Sequence, residues 1–457
     1  MIAIIFLGVL LLVVVAMAAT GSMPSVSVAE LVVISVTFGV FFLTGIYVAA
    51  ALGALGLVTS VAFATRPVHL FFGQIAWNAS TNFLLVAVPL FILMGEVMLR
   101  SGVSDRLYRA LNVWVGRLPG GLLHTNVVSS AVFSAVSGSS IATAATIGSV
   151  ALPYFERTAY PPRAVLGSLA AGGALGNLIP PGIAFIIYAL LTETSVGKLY
   201  AAGFVAGGIV SALFVLYILI HGLAARWRPQ EGLVRWAERL TSLGDIAPIA
   251  FLMFLVLGTI YVGIATPTEA AALGVVGALV LATAGRRLTL SMLVAAMRAT
   301  ARTTSMIGFI TVSAFVLNFA LSSIRLPQML ASSVVGLPLA PAAVMGVILA
   351  LYFVVGTFMD AFALMITTLP VVFPIVTAIG YDPIWFGVVS VMLVEIGLIS
   401  PPDGAVMYVL QGLRPRPGPI TDVYWGVLPF LLLYLAGLGL IVAFPELILW
   451  LPRRLVS

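Results

Sequence analysis

Hydroxyl side chains and glycines crowd one short apolar stretch of the chain, residues 134–153. The polar and flexible positions in it are Ser134, Ser137, Ser139, Ser140, Thr143, Thr146, Ser149, Gly138 and Gly148. Hard cations prefer oxygen ligands, and hydroxyls together with backbone carbonyls supply them. In hydrocarbon, non-helical backbone is tolerated only inside protein or beside a water-filled cavity. The stretch alone is consistent with two structures: a re-entrant hairpin whose tip holds an ion or polar solute, or a helix–helix contact face, where small residues are also enriched.

The same pattern returns 221 residues later, which favours the hairpin. Proline, tyrosine and glycine positions recur at this constant offset: Pro153, Tyr160, Pro162, Gly176, Pro180 and Pro181 match Pro374, Tyr381, Pro383, Gly397, Pro401 and Pro402. The partner of the first stretch, 353–374, is also followed by an apolar helix that Pro-Pro interrupts. Proline removes a backbone donor, so the carbonyls before it lose their helical partners. Paired interrupted segments in corresponding halves indicate the binding site of a secondary transporter.

The hydroxyls and the freed carbonyls predict two cation sites with a substrate between them. The first site is predicted at Ser134, Ser137, Gly176, Ile179 and Pro180. The second is predicted at Gly356, Thr357, Gly397 and Ser400. The substrate is predicted near Ser139, Ser140, Thr143, Thr357 and Asp360.

Five acidic residues within or beside the apolar segments have more than one interpretation. Asp360 is interpreted as a proton carrier, an ion ligand or a helix cap. Glu395 lies in mid-span, where a structural hydrogen bond and a transport role are both consistent with its position. Asp403 is a further candidate for the site, or a cap of the half-helix that follows it. Glu96, near a span end, and Glu269, in a short outer loop, are predicted to be structural.

The composition indicates that the elements holding these residues in place are membrane helices. Of 457 residues, 62% are hydrophobic and 8% are charged, whereas soluble domains have about 25% charged residues. We therefore expect an all-α polytopic membrane protein. No cysteine is present, so disulfides and thiolate metal sites are excluded. The sequence has no phosphate loop, nucleotide fingerprint or zinc motif, and the charge of +6 reports orientation rather than nucleic-acid binding.

Hydropathy places the spans along the chain. Spans are predicted at 2–19, 29–64 (two spans), 82–98, 199–222, 245–263, 268–285, 303–322 and 423–447. Interfacial or charged segments are predicted at 66–80, 100–120, 226–243 and 286–302, with a short link at 325–336. Residues 2–19 lack a charged n-region, which favours a retained helix over a signal peptide.

These elements divide the chain into scaffold regions and two transport repeats. The predicted regions are an extra N-terminal helix (1–27), scaffold helices with an amphipathic arm (28–120), transport repeat 1 (121–192), scaffold helices and cytoplasmic loops (193–302), a scaffold helix with an arm (303–336), transport repeat 2 (337–412) and a C-terminal helix (413–457). If the 226–243 loop is cytoplasmic, 16 of the 21 basic residues lie inside, as the positive-inside rule expects. The two repeats are then inverted, which permits alternating access around a midplane site.

Four motifs together resemble the large membrane subunit of a tripartite ATP-independent periplasmic (TRAP) transporter, over roughly residues 40–447. They are Pro-Leu-Phe-Ile-Leu-Met-Gly-Glu at 89–96 with Ser-Gly-Val-Ser-Asp-Arg-Leu at 101–107, the first hairpin at 134–144, Leu-Ile-Pro-Pro-Gly-Ile-Ala-Phe-Ile-Ile-Tyr at 178–188 continuing to 199, and Gly-Thr-Phe-Met-Asp at 356–360 running to Glu-Ile-Gly-Leu-Ile-Ser-Pro-Pro at 395–402. Any one of these motifs alone would be weak, but the set is highly specific.

The resemblance implies an elevator-type, sodium-driven importer of organic acids in the bacterial inner membrane, with Na⁺ as the coupling ion and no other cofactor. It implies two partners: a periplasmic solute-binding protein and a small membrane subunit on a separate chain. The family's sodium ligands carry over to Ser134, Ser137, Gly176, Ile179, Pro180, Gly356, Gly397 and Ser400. Two positions depart from the family, which commonly has threonine at Ser400 and an apolar residue at Asp403.

Other functions are less consistent with the sequence. A stand-alone ion-coupled carboxylate carrier with two hairpins, needing no binding protein, is the nearest alternative. An intramembrane enzyme would need a catalytic set within the spans, and the only lysine, Lys198, lies near an outer loop. A passive channel is disfavoured by the inverted pairs of broken helices.

Overall fold

The computed structural model describes residues 47–63, 70–156, 158, 160–225, 235–336 and 338–455. Every regular element in these residues is helical, as predicted. The helices are α1 (Val48–Phe63), α2 (Phe72–Ser80), α3 (Ala87–Arg100), α4 (Val103–Val115), α5 (Leu122–Ser137), α6 (Ser140–Phe155), α7 (Pro162–Gly173), α8 (Ile183–Thr192), α9 (Val196–Ala224), α10 (Trp236–Met253), α11 (Pro267–Ala284), α12 (Leu290–Ser323), α13 (Leu326–Val335), α14 (Pro341–Gly356), α15 (Ala361–Ala378), α16 (Pro383–Leu398), α17 (Ala405–Leu413), α18 (Thr421–Ala443) and α19 (Glu446–Leu455).

Within the described residues, seven helical segments are long and apolar enough to span a membrane. They are Phe83–Arg100, Val196–Ala224, Trp236–Tyr261, Pro267–Ala284, Leu290–Ser323, Ala361–Ala378 and Thr421–Ala443. The first includes a 3₁₀ turn before α3, and the third continues α10 through a π-helical segment. A polytopic membrane protein is therefore confirmed. The helix predicted at residues 2–19 lies outside the described residues.

Four predicted boundaries differ from the structure. Residues 286–302 and 303–322 are largely one helix, α12. No proline interrupts it, and its single glycine, Gly308, is tolerated within it. α10 already begins at Trp236, inside the stretch predicted as a charged loop, and the predicted link at 325–336 is helical as α13. The last predicted span is two helices, α18 and α19, which are separated at Phe444 and Pro445.

The helices form two compact units. The first contains the described residues up to Leu85, with Thr303–Leu351 and Phe362–Pro383. In it α1 packs closely on α12, since a Cβ on Gly56 would lie 2.9 Å from the backbone nitrogen of Leu317. The second unit contains Val86–Arg302, Tyr352–Ala361 and the chain from Ile384 onward. It holds the first helix pair, both Pro-Pro breaks and the acid Glu395.

In the second unit α7 is the central helix. It packs against α5, α6 and α18. A Cβ on Gly167 would overlap the Gly426 carbonyl oxygen of α18, so the two backbones touch. The amphipathic α4 also packs on protein: Tyr108 is fully buried and donates to Asn126 Oδ1 of α5 at 2.7 Å. Burial raises the pKa of the Tyr108 hydroxyl. These contacts hold α5 and α6 in a fixed position beside α7.

Candidate functional site

The first helix pair, α5 and α6, reverses direction at Gly138 and Ser139. Gly138 has φ +59°, a left-handed conformation that glycine adopts without strain. A Cβ there would lie 2.5 Å from the Pro181 carbonyl oxygen, so the tip touches the first Pro-Pro segment. Ser139 caps α6, because the Ala142 N–H donates to its Oγ at 3.4 Å. The predicted hairpin is thus a helix pair with a tight tip, and its re-entrance into a membrane stays a prediction.

The first Pro-Pro segment lies against this tip. α7 ends at Gly173 and α8 begins at Ile183, and the Pro180–Pro181 peptide bond between them is cis. The Ile183 N–H donates to the Gly138 carbonyl oxygen at 3.2 Å. In the described part of the chain, the carbonyl oxygens of residues 176–181 accept no backbone N–H. The break therefore leaves a row of carbonyl oxygens without helical partners, as the proline pattern predicted.

The residues predicted for the first cation site are partly brought together here. Gly176 packs on the tip, and a Cβ on it would overlap the Ser140 backbone. The Ser137 hydroxyl is buried and lies 2.5 Å from Thr143 Oγ1 across the helix pair. The Ser134 hydroxyl donates to the Ser130 carbonyl oxygen of its own helix at 2.7 Å. Ile179 and Pro180 are buried and belong to the row of carbonyls. Their role as sodium ligands stays a prediction.

A buried carboxyl group on α16 connects the tip with the first Pro-Pro segment. Glu395 of α16 has no exposed surface, and Ser140 Oγ lies 2.8 and 2.7 Å from its two oxygens. Asn177 Nδ2 donates to Glu395 Oε1 at 2.8 Å. The backbone N–H and Nδ2 of Asn177 also donate to Ser140 Oγ, at 3.1 and 3.0 Å. No ion pair to Glu395 is found among the described residues. The structural interpretation of Glu395 required a hydrogen bond, and the structure shows such bonds. Its transport role stays a prediction.

Asn177 is the member of this network that the sequence prediction missed. Its only signal was an amide side chain next to Gly176 in an otherwise apolar segment. Ser140, predicted to contact substrate, makes its hydrogen bonds with Asn177 and Glu395. Ser139, also predicted for substrate, is half-buried at the tip.

The second Pro-Pro segment repeats the geometry of the first. α16 ends at Leu398, α17 begins at Ala405, and the Pro401–Pro402 bond is cis. Among the described residues, the carbonyl oxygens of 398–401 accept no backbone N–H. A Cβ on Gly397 would overlap the Gly356 carbonyl oxygen, so two predicted site residues are in contact.

The hydroxyls of the second predicted cation site point back to their own helices. Thr357 Oγ1 donates to the Phe353 carbonyl oxygen at 2.8 Å, and Ser400 Oγ donates to the Ile396 carbonyl oxygen at 2.7 Å. Asp360 is exposed directly before α15, and its three interpretations stay open.

Asp403 does not cap α17, so that interpretation was wrong. The cap position is Gly404, whose extended backbone starts the helix, and Asp403 is exposed. The neighbouring Pro402 carbonyl oxygen accepts the hydroxyls of Tyr408 and Tyr424 at 2.9 and 3.0 Å. Two tyrosines therefore satisfy the backbone at this point, and the Asp403 carboxylate is left at the surface.

The two acids predicted to be structural are confirmed as such. Glu96 pairs with Arg100 at 3.0 Å, one helical turn away. Glu269 accepts the Thr266 backbone N–H at 2.8 Å in a capping box at the start of α11. In the part of the chain that the structure describes, no group of three His, Asp or Glu residues could hold a metal ion.

Comparison with known proteins identifies the family. A model of the family described as "Tripartite ATP-independent periplasmic transporter, DctM component" matches residues 34–447. The C4-dicarboxylate TRAP transporter large permease protein DctM of Pseudomonas aeruginosa is 34% identical over 89% of this chain and 94% of that protein. The isethionate TRAP transporter permease protein DctMQ of Oleidesulfovibrio alaskensis is 31% identical over 88% of this chain and 63% of that protein.

Among solved structures, the fold resembles that of the YdaH transporter of Alcanivorax borkumensis. The TM-score is 0.61 at 16% identity, and the match covers 89% of this chain and 99% of that chain. At this identity the likeness concerns the fold alone. The family match carries the functional assignment, which is to transport rather than to an enzyme reaction. The chain is a membrane protein that belongs to the DctM family, the large permease component of tripartite ATP-independent periplasmic transporters.

Proposed function

We propose that this chain carries out sodium-coupled import of a small organic acid, a carboxylate, by elevator-type alternating access. The observation that carries the proposal is the pair of Pro-Pro breaks. At each break, a row of carbonyl oxygens without backbone donors adjoins a close glycine contact, at Gly176 in the first and Gly397 in the second. Discontinuous helices of this kind bind the coupling ion and the substrate in secondary transporters.

The chemistry of these breaks favours a sodium ion. The oxygens on offer are neutral carbonyls and hydroxyls, which suit a hard monovalent cation. Ser134 and Ser137 supply hydroxyls beside the first break, and Thr357 and Ser400 supply them beside the second. Sodium binding at these residues would require their hydroxyls to turn from their present protein partners towards the ion.

The half-helices that follow the breaks favour an anionic substrate. α8 and α17 each begin directly after a break, and the N-terminus of a helix attracts negative charge. The Pseudomonas aeruginosa relative is named for C4-dicarboxylates, which agrees with a carboxylate substrate. We propose that Ser139, Thr143 and Thr357 lie along the substrate path and that Asp360 adjusts its charge preference.

We propose that two partners complete the transporter in the bacterial inner membrane. The family is tripartite and periplasmic by description, which supports delivery of substrate by a periplasmic solute-binding protein. This chain matches only 63% of the DctMQ relative, which leaves room in that protein for a fused small subunit. In the present case we expect the small membrane subunit to be a separate chain.

Uptake in proteoliposomes tests the proposal. The chain is reconstituted with its small subunit, and uptake of radiolabelled C4-dicarboxylates and other organic acids is measured with and without the binding protein and an inward sodium gradient. Uptake that requires both is the expected result. Sodium-driven uptake without the binding protein would instead support the stand-alone carrier. Uptake indifferent to sodium would contradict both cation sites.

A further inference from the structure

A basic cavity of about 590 Å³ opens where two predicted spans end in the second unit. It is formed by the turn between α3 and α4, the first two turns of α4 and the link between α11 and α12. Four arginines and one acid line it: Arg100, Arg106, Arg109, Arg287 and Asp105. Neither of the Pro-Pro segments contributes to it, so the cavity is separate from the candidate transport site.

The cavity keeps a net positive charge when the ion pairs of its arginines are counted. Arg100 pairs with Glu96 at 3.0 Å and is largely neutralised. The described residues show no ion pair to Arg106, Arg109 or Arg287. Asp105 is the one carboxylate in the lining, so three guanidinium groups face a single acid. Guanidinium groups bind phosphate oxygens with charge-assisted hydrogen bonds.

The cavity lies at the end of the membrane-spanning part of two adjacent helices. The spans Phe83–Arg100 and Pro267–Ala284 both end at it. α3 and α11 pack side by side, because Gly274 leaves room for Met94. The positive-inside prediction gives the four arginines a common, cytoplasmic side. The guanidinium groups therefore sit at the level expected for lipid headgroups.

α11 also carries an exposed apolar track. Leu273, Val276 and Val280 are exposed and lie on one face of the helix at spacings of three and four residues. The track lies on the helix whose C-cap residue, Gly285, lines the cavity. A ligand that fits both features has an anionic head and long apolar chains.

We propose that this cavity binds an anionic phospholipid. Arg106, Arg109 and Arg287 hold the phosphate, and the acyl chains lie along the apolar track. Basic pockets at helix ends on the cytoplasmic side recognise such headgroups. A free inorganic anion meets the same arginines but gains nothing from the track, and zwitterionic lipid lacks the net negative charge.

Lipid titration of the purified chain in neutral detergent tests the proposal. Retained lipid is counted by native mass spectrometry, with phosphatidylglycerol, phosphatidylcholine and glycerol 1-phosphate as probes. We expect phosphatidylglycerol to bind in preference to the other two. The double variant R106Q/R287Q should bind it roughly thirty-fold more weakly, the loss of two such contacts. The control R298Q/R302Q removes the same charge from exposed positions of α12 outside the cavity and should bind as the wild type does.

Two results would overturn the proposal. One is equal retention of phosphatidylglycerol by R106Q/R287Q and by the control, which would mean that any surface arginine suffices. The other is glycerol 1-phosphate binding as tightly as the lipid, which would make the cavity a site for free anions. If the double variant does not fold, R109Q gives the same test, with an expected loss of roughly five-fold.

Discussion

At the scale of single residues, the Ser140 hydroxyl is central to the buried network. It donates a hydrogen bond to Glu395 and accepts one from the backbone N–H and one from Nδ2 of Asn177. All of its hydrogen-bonding capacity is therefore used. Removing it leaves a buried carboxyl group and two buried donors short of partners. We expect Ser140→Ala to lower the free energy of unfolding by about 1–3 kcal/mol.

The matched control is Ser149→Ala on the same helix. Ser149 is exposed and donates only to the Thr146 carbonyl oxygen at 2.8 Å, so its loss should change stability by less than about 0.5 kcal/mol. Thermal unfolding of the purified variants in detergent compares the two. Equal stability of Ser140→Ala and Ser149→Ala would mean that the Glu395 network contributes nothing to the folded state.

The sequence predicted where the backbone breaks better than it predicted side-chain partners. Proline frees the carbonyl oxygens before it whatever the surrounding fold, so the two Pro-Pro breaks could be predicted from the sequence alone. The partners of Glu395 were not predictable, since Asn177 lies 218 residues away along the chain. Asp403 illustrates the same limit. Its position after Pro402 suggested a cap, but the backbone of Gly404 starts the helix instead.

At the scale of elements, glycine contacts set how closely the broken helices approach their neighbours. Because the Gly176 backbone touches Ser140, a methyl group there must push the helix-pair tip away from the first break. We expect Gly176→Ala to destabilise the chain by about 1–3 kcal/mol through overpacking. Gly208→Ala on α9 is the control, with no atom within 4 Å of its added Cβ, and should be neutral or stabilising. If Gly176→Ala were as stable as the wild type, the backbones of Gly176 and Ser140 could not be in close contact in solution.

Element ends were predictable where glycine or proline marks them. Both Pro-Pro breaks and the turn at Gly138 fall where the sequence indicated a change of backbone. α12 is the exception: a change from charged to apolar residues near Thr303 predicts a boundary, yet the helix continues through it. Charge alters which face of a helix meets solvent, but it does not end the helix.

At the scale of the whole molecule, the lack of cysteine makes the predicted topology directly testable. Arg416 and Arg454 are both exposed and lie on either side of the span Thr421–Ala443. The positive-inside count predicts Arg416 on the cytoplasmic side and Arg454 on the opposite side. We expect an impermeant maleimide added outside intact cells to label Arg454→Cys and not Arg416→Cys. Labelling of both from one side would contradict the predicted topology of the last span.

The most direct test of the account is sodium binding to the purified chain, measured by equilibrium dialysis of radioactive sodium. We expect saturable binding that potassium does not displace. Ser137→Ala should weaken it about ten-fold, because a tip hydroxyl next to the first break is lost. Ser149→Ala should leave it unchanged. An absence of saturable sodium binding in the wild type, or equal binding by both variants, would contradict the assignment of the Pro-Pro breaks as cation sites.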